Sequence, residues 1–142
     1  MRRKQRGMAL VWVALYLPFF VSIAGLVMDG GQLFKAQRDL QDVADSAARA
    51  AAMQIDQQAY RASSGATIVL DTGAAKAVGG QYITDQQQPD LTATIDAGPD
   101  AVRVQVDRDV PTAFMRVVHI DTAHVRAVAV ATPRHGISAE QR

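Results

Sequence analysis

The stretch MALVWVALYLPFFVSIAGLVM, residues 8–28, contains no Asp, Glu, Lys, Arg or His. At about 1.5 Å per residue its roughly 21 residues make about 31 Å of helix, which matches a hydrocarbon core of about 30 Å. Arg2, Arg3, Lys4 and Arg6 precede it, Asp29 follows it, and the next cation is Lys35. That asymmetry puts the N-terminus in the cytoplasm and residues 29–142 outside. Pro18 removes a backbone donor and frees the carbonyl of Ala14, so a bend is expected there. Ser22 can bond back to a carbonyl one turn earlier. The competing reading is a cleaved secretory signal that releases a soluble exported binding domain. Such a signal has a shorter apolar region and a small-residue cleavage site. Here the apolar region runs into Leu26-Val27-Met28-Asp29-Gly30-Gly31, and the alanine cluster at 47–52 lies far downstream.

The whole chain has 142 residues, a formal net charge of +1 and no cysteine. What remains beyond the span is enough for one small domain. Cations are not clustered beyond the leader, which argues against a nucleic-acid partner. Without cysteine there are no disulfides and no thiolate metal sites.

Residues 31–58 read as a helix that continues the span or hinges from it at Gly30-Gly31. Leu33, Ala36, Leu40, Val43, Ala47 and Ala50 recur at spacings of three and four, a narrow seam that shrinks from Leu to Ala. Small residues let a backbone approach closely. The neighbour is either the protein's own domain or a helix of another subunit. Asp45 and Arg49 stand in the order that favours an i,i+4 pair. Ser63-Ser64-Gly65 breaks the helix, and Ala66–Leu70 is an apolar run of open type. Asp71-Thr72 caps a helix carrying Ala74, Ala75, Val78 and Tyr82, which Gly79-Gly80 weakens. Beyond the polar loop 85–90 the period becomes two. Leu91, Ala93 and Ile95, then Val102, Val104 and Val106, predict an antiparallel hairpin with one buried face. Pro111 is positioned to open a short helix with Phe114, Val117 and Val118. Residues 124–131 read as a third strand.

The expected fold is therefore α+β, a long N-terminal helix followed by a small antiparallel sheet domain. Its segments are a basic leader (1–7), a transmembrane helix (8–28), an amphipathic helix (29–60), a small extracytoplasmic domain (61–134) and a flexible tail (135–142).

The N-terminal region resembles the Tad-type (tight adherence, Flp) pilus-assembly proteins of the TadE/TadG-like pseudopilin group. The residues that carry the resemblance are Gly7-Met8, the 8–28 span, Asp29, Gly31, Leu40-Gln41, Ala44-Asp45 and the alanines Ala47, Ala48, Ala50, Ala51 and Ala52. The C-terminal half shares a general pattern: a strand, Val-Pro-Thr-x-Phe at 110–114, then a Val/Ala-rich strand. The resemblance implies a pilin-like fold, a prepilin-peptidase junction at Gly7-Met8, and helix contacts to pilin-like partners through Asp29, Gly31, Leu40, Gln41, Ala44, Asp45, Ala47, Ala48 and Ala51. It also implies the bacterial inner membrane, a periplasmic domain and a part in adhesion. Two departures stand out: Gln32 replaces a common basic residue, and Trp12 stands where cleaved pilins carry a Glu. Trp12 cannot neutralise a neighbour's amino terminus, which places the chain nearer the TadG-like side, with cleavage after Gly7 inefficient or absent.

No residue set reads as an active site, so the chain is expected not to be an enzyme and to need no cofactor. His119 and His124 lack a third ligand. Asp107 and Asp109 lack the Gly and downstream Glu of a calcium loop. The Gly-Gly pairs lack phosphate-loop context. Asp29 marks the bilayer exit and is placed to cap the second helix.

Overall fold

The computed structural model describes residues 2–88 and 90–133. The expected tail at 135–142 lies outside the described residues. Its elements are α1 (Arg2–Ala52), α2 (Gln57–Ala62), α3 (Thr72–Asp85), β1 (Leu91–Ala97), β2 (Val102–Pro111), a 3₁₀ turn (Met115–Val118) and β3 (Thr122–Ala131). They fall into two compact units. The first takes the chain up to Ala36 together with Val110–Ala123; the second takes Gln37–Asp109 and the chain from His124 onward. The α+β class is the one the sequence predicts.

In the first unit α1 runs through Pro18, and the Ser22 hydroxyl donates to the Pro18 carbonyl at 2.8 Å. Helix also runs through Gly30-Gly31, where a hinge is expected. Two glycines cost about 1 kcal/mol each relative to alanine, and the helix-forming residues on either side carry the ladder across them. The side chains of the span face outward, for example Leu10 at 72% and Val27 at 68% exposure.

In the second unit α1 ends at Ala52, short of the expected residue 58. Asp56 explains the break. Its Oδ1 accepts from the N–H groups of Gln58 at 2.8 Å and Ala59 at 3.0 Å, which caps a new helix, α2. Ile55 forms a bridge with Leu70, so the apolar run at 66–70 is extended chain. The turn after α2 places Ser64 at φ 54° and Gly65 at φ 83°. Asp71 caps α3 by accepting from the Ala74 N–H at 2.9 Å.

The sheet has the order β1-β2-β3. β1 and β2 pair antiparallel from Leu91↔Arg108 to Ala97↔Val102. Val102, Val104 and Val106 are completely buried on one face, with Val125, Ala127 and Ala129 of β3 buried beside them. Each such valine contributes about 1.5–3 kcal/mol relative to an exposed position. Pro111 closes β2 instead of opening a helix, and the short helical turn begins four residues later, at Met115.

Leu40, Ala44, Ala47, Ala48 and Ala51 form the buried stripe of α1 in this unit, and Ala36 is buried in the first unit. Leu33 is half-buried in the first unit, and Val43 and Ala50 are half-buried at the margins of the stripe. The neighbour at its alanine end is the chain's own α3. A Cβ on Gly79 would stand 3.4 Å from Ala51 Cβ and 3.0 Å from Ile95 Cδ1. Ala75, Gly79 and Ile83 are the buried row of α3, flanked by the expected Ala74, Val78 and Tyr82. Gly79 therefore serves close approach, despite its cost in helix propensity. Asp45 does not pair with Arg49 among the described residues. It accepts from Gln41 one turn earlier at 3.3 Å, and Arg49 turns to Ser46.

Ala51→Leu should overpack this contact and destabilise the fold by about 1–3 kcal/mol. Chemical unfolding of the detergent-solubilised chain measures it, with Ala77→Leu on the exposed side of α3 as the near-neutral comparison. Equal midpoints for the two variants would mean that the stripe is loosely packed.

Candidate functional site at the end of the apolar helix

Asp29, one residue beyond the apolar span, is only 1% exposed. Its Oδ1 accepts from the Ala113 N–H at 3.0 Å, and its Oδ2 accepts from Phe114 at 2.8 Å and Met115 at 2.7 Å. These are the first donors of the 3₁₀ turn, which a helix start leaves without internal partners. The expectation that Asp29 caps its own second helix is corrected here: α1 is continuous at that point, so its N–H groups are already bonded. The carboxylate caps a turn 84–86 residues away instead. Burial pushes the Asp29 carboxyl up, but the N–H bonds from Met115, Ala113 and Phe114 outweigh burial and hold it below the ordinary 3.8.

One turn before Asp29, on the same face, Gly25 is buried. A Cβ at Gly25 would overlap the ring and Cβ of Phe114. Glycine is thus required for the aromatic ring to sit on the helix. The rest of the connection is internally bonded. The Thr112 N–H donates to Asp121 O at 3.0 Å, Val117 to Phe114 O at 3.1 Å, His119 to Arg116 O at 2.9 Å and Ile120 to Met115 O at 3.1 Å. The Thr112 hydroxyl donates to Ile120 O. His119 takes φ 63°, the left-handed conformation that ends the turn.

In the second unit, a charged group occupies the outer face of the sheet. Arg126 Nε donates to Asp107 Oδ1, and Gln105 donates to Asp107 Oδ2 at 2.9 Å. The His124 ring faces Asp109 through Nδ1 at 2.9 Å and Asp107 through Nε2 at 3.2 Å. Only the imidazolium donates from both nitrogens. The bonds to Asp109 and Asp107 accordingly raise the His124 pKa above 6.5, against a smaller effect of burial. Asp107 is held below 3.8, by Arg126 first and Gln105 next, against burial and with help from His124. Among the described residues no group of three or more His, Cys, Asp or Glu is arranged to hold a metal ion.

The other residues singled out by sequence separate as follows. Leu40, Ala44, Ala47, Ala48 and Ala51 lie inside the second unit. Gln41 and Asp45 are half-buried, and Gln41 also donates to Val128 O at 3.3 Å. Gly7 and Met8 lie within α1; Met8 is exposed, and so is Gly31. Sequence reasoning missed Gln37, which donates to Arg126 O at 2.9 Å. It also missed Gly25 and the turn that Asp29 caps; Val-Pro-Thr-x-Phe at 110–114 was the available signal. An open cleft lined by Arg49, Met53, Ile55 and Val130 has one charged residue and lacks the convergent polar groups of a small-molecule site.

Two family models match this chain. One, described as TadE/G-like Flp pilus assembly, covers residues 7–54; the other, described as Tad-like Flp pilus assembly, covers residues 32–131. No curated protein and no solved structure matches.

Two outcomes are expected from this geometry. Asp29→Ala should speed amide hydrogen exchange at Ala113, Phe114 and Met115, with little change at Val104 in the sheet; unchanged exchange at the three amides would mean the carboxylate does not hold the turn. His124 has a folded pKa above its ordinary 6.5, so its stabilising contribution is complete below pH 6.5 and is lost as pH rises through the raised value. His124→Gln should remove that fall from a plot of melting temperature against pH, and a wild-type fall that persists in the variant would assign it to another group.

Proposed function

Because the chain belongs to the Tad-like Flp pilus-assembly family, we propose that it is a structural component of that assembly, anchored in the bacterial inner membrane by one span. Residues 8–28 form the anchor, the leader through residue 7 is cytoplasmic, and the α+β domain is periplasmic. The observation that carries this reading is the exposed apolar helix. Its most apolar window has a mean hydropathy of 2.3 and is 6% buried within the chain. Water is a poor environment for such a surface, whereas lipid and neighbouring apolar helices suit it.

The same helix is the surface offered to pilin-like partners. The alanine end of the stripe already meets α3 at Gly79, whereas the span is free to pack laterally against other membrane helices. No reaction is assigned to the protein. Retention of the span is also supported by Asp29 and Gly25. Cleavage near Gly30 would remove the carboxylate that satisfies the N–H groups of residues 113–115 and the surface on which Phe114 sits. Any prepilin-peptidase cut falls after Gly7, and its product keeps both residues.

Fractionation with N-terminal mass spectrometry tests the anchor. A carbonate-resistant membrane protein beginning at Met1 or Met8 is expected, and a soluble product beginning near Gly30 would overturn the reading. Deletion of the coding sequence should abolish surface Flp-type pili, with recovery on complementation; pili at normal levels in the deletion strain would remove the assembly role. A phosphatase fused to the C-terminus should be active if the domain is periplasmic.

A further inference from the structure

We infer that the β2–β3 connection, residues 113–120, is a membrane-interface element that lies in the headgroup and upper acyl region beside the point where α1 leaves the bilayer. The inference rests on the reading of residues 8–28 as a span. Phe114 sits against Gly25, which is three residues inside the last residue of that span, Met28. At about 1.5 Å per residue this puts the Phe114 ring about 4–5 Å below the end of the apolar segment. A segment held at that depth beside a membrane helix meets lipid.

The exposed side chains fit that position. Val117 is 81% exposed, Ile120 46% and Phe114 38%. Arg116, whose side chain is 63% exposed, pairs with Asp121 at 3.7 Å and lies next to Val117 in sequence. Apolar side chains interleaved with a cation are the composition of an interfacial segment, which buries its apolar face about 5–10 Å into the boundary and meets lipid phosphates with its basic groups.

The backbone supports the same placement independently. Irregular chain is tolerated at membrane depth only where its polar groups are satisfied by protein. Here the N–H groups of Val117, His119 and Ile120 bond within the connection, that of Thr112 bonds across its base to Asp121 O, and those of Ala113, Phe114 and Met115 bond to Asp29. A solvent loop has no such requirement, because water would satisfy these donors. Asp29 thereby satisfies three of the donors of a segment placed at the edge of the hydrocarbon.

The chain has no cysteine, so single cysteines can be placed at will. Full-length Val117→Cys, Ile120→Cys, Thr94→Cys and Leu15→Cys variants would each carry an environment-sensitive fluorophore. Each would be purified and reconstituted into phosphatidylethanolamine–phosphatidylglycerol vesicles, with or without nitroxide-labelled lipid, and checked by circular dichroism. The expected result is blue-shifted emission and loss of fluorescence to nitroxide at positions 117 and 120, the same at 15, and neither at the exposed sheet position 94. Water-like, unquenched emission at 117 and 120 with quenching at 15 would overturn the inference and leave the span intact. Unquenched emission at 15 would overturn the span, and the inference with it. Shielding at 117 and 120 only after a partner protein is added would also overturn it, since the occupant would then be protein.

Discussion

The carboxylate of Asp29 is the interaction on which the first unit depends. It is the first charged group after the apolar span, and it accepts from the N–H groups of residues 113, 114 and 115. A charge at this boundary is costly unless it is compensated, and bare N–H donors beside an apolar helix are costly for the same reason. Each problem resolves the other. Gly25 completes the arrangement one turn away, because a side chain there would exclude Phe114.

The second unit is held differently, by close approach without charge. Ala47 and Ala51 on α1 meet Gly79 on α3 at distances that larger residues would not permit. On the other side of this unit, Gln37 and Gln41 donate to the Arg126 and Val128 carbonyls of β3. β3 is an edge strand, and an edge with free carbonyls invites pairing with another chain. Two side-chain amides on a helix close part of that edge. The outer face of the same sheet carries the Asp107–Arg126–His124–Asp109 group, cross-strand pairs of opposite charge that favour this register.

Periodicity made much of the fold legible. The long apolar helix, α3 with its Asp71 cap, the hairpin and the third strand all follow from apolar spacing and turn residues that act over one or two turns of chain. What escaped was determined by contacts distant in sequence or by a cap that competes with a longer pattern. The helical reading runs on to residue 58, but Asp56 captures two N–H groups and restarts the helix. Asp29 was recognisable as a boundary residue, whereas its partners lie 84–86 residues on and carry no local mark. Gly79 looked like a weak point in a helix because its value depends on Ala51 and Ile95, which no window around residue 79 contains. The family resemblance located the motif residues without saying that most of them face the chain's own interior.

The bonds that tie α1 to the rest of the chain have a consequence for how the protein is made. Asp29 waits for residues 113–115, Gln41 for Val128 and Gln37 for Arg126, sequence separations of 84 to 89 residues. The apolar helix leaves the ribosome before any of these partners exists. Throughout synthesis of α2, α3, β1 and β2, Asp29 lacks the N–H partners it has in the folded chain, and the β3-facing amides of α1 stay open. Both units therefore close late, the first once residues 113–115 are delivered and the second once β3 follows, and each closure meets the loop entropy of a long separation. A nascent chain stalled before residue 122 would be unfinished, with the Gln37 and Gln41 amides and the free side of β2 open to capture by a chaperone or by a neighbouring chain of the same kind.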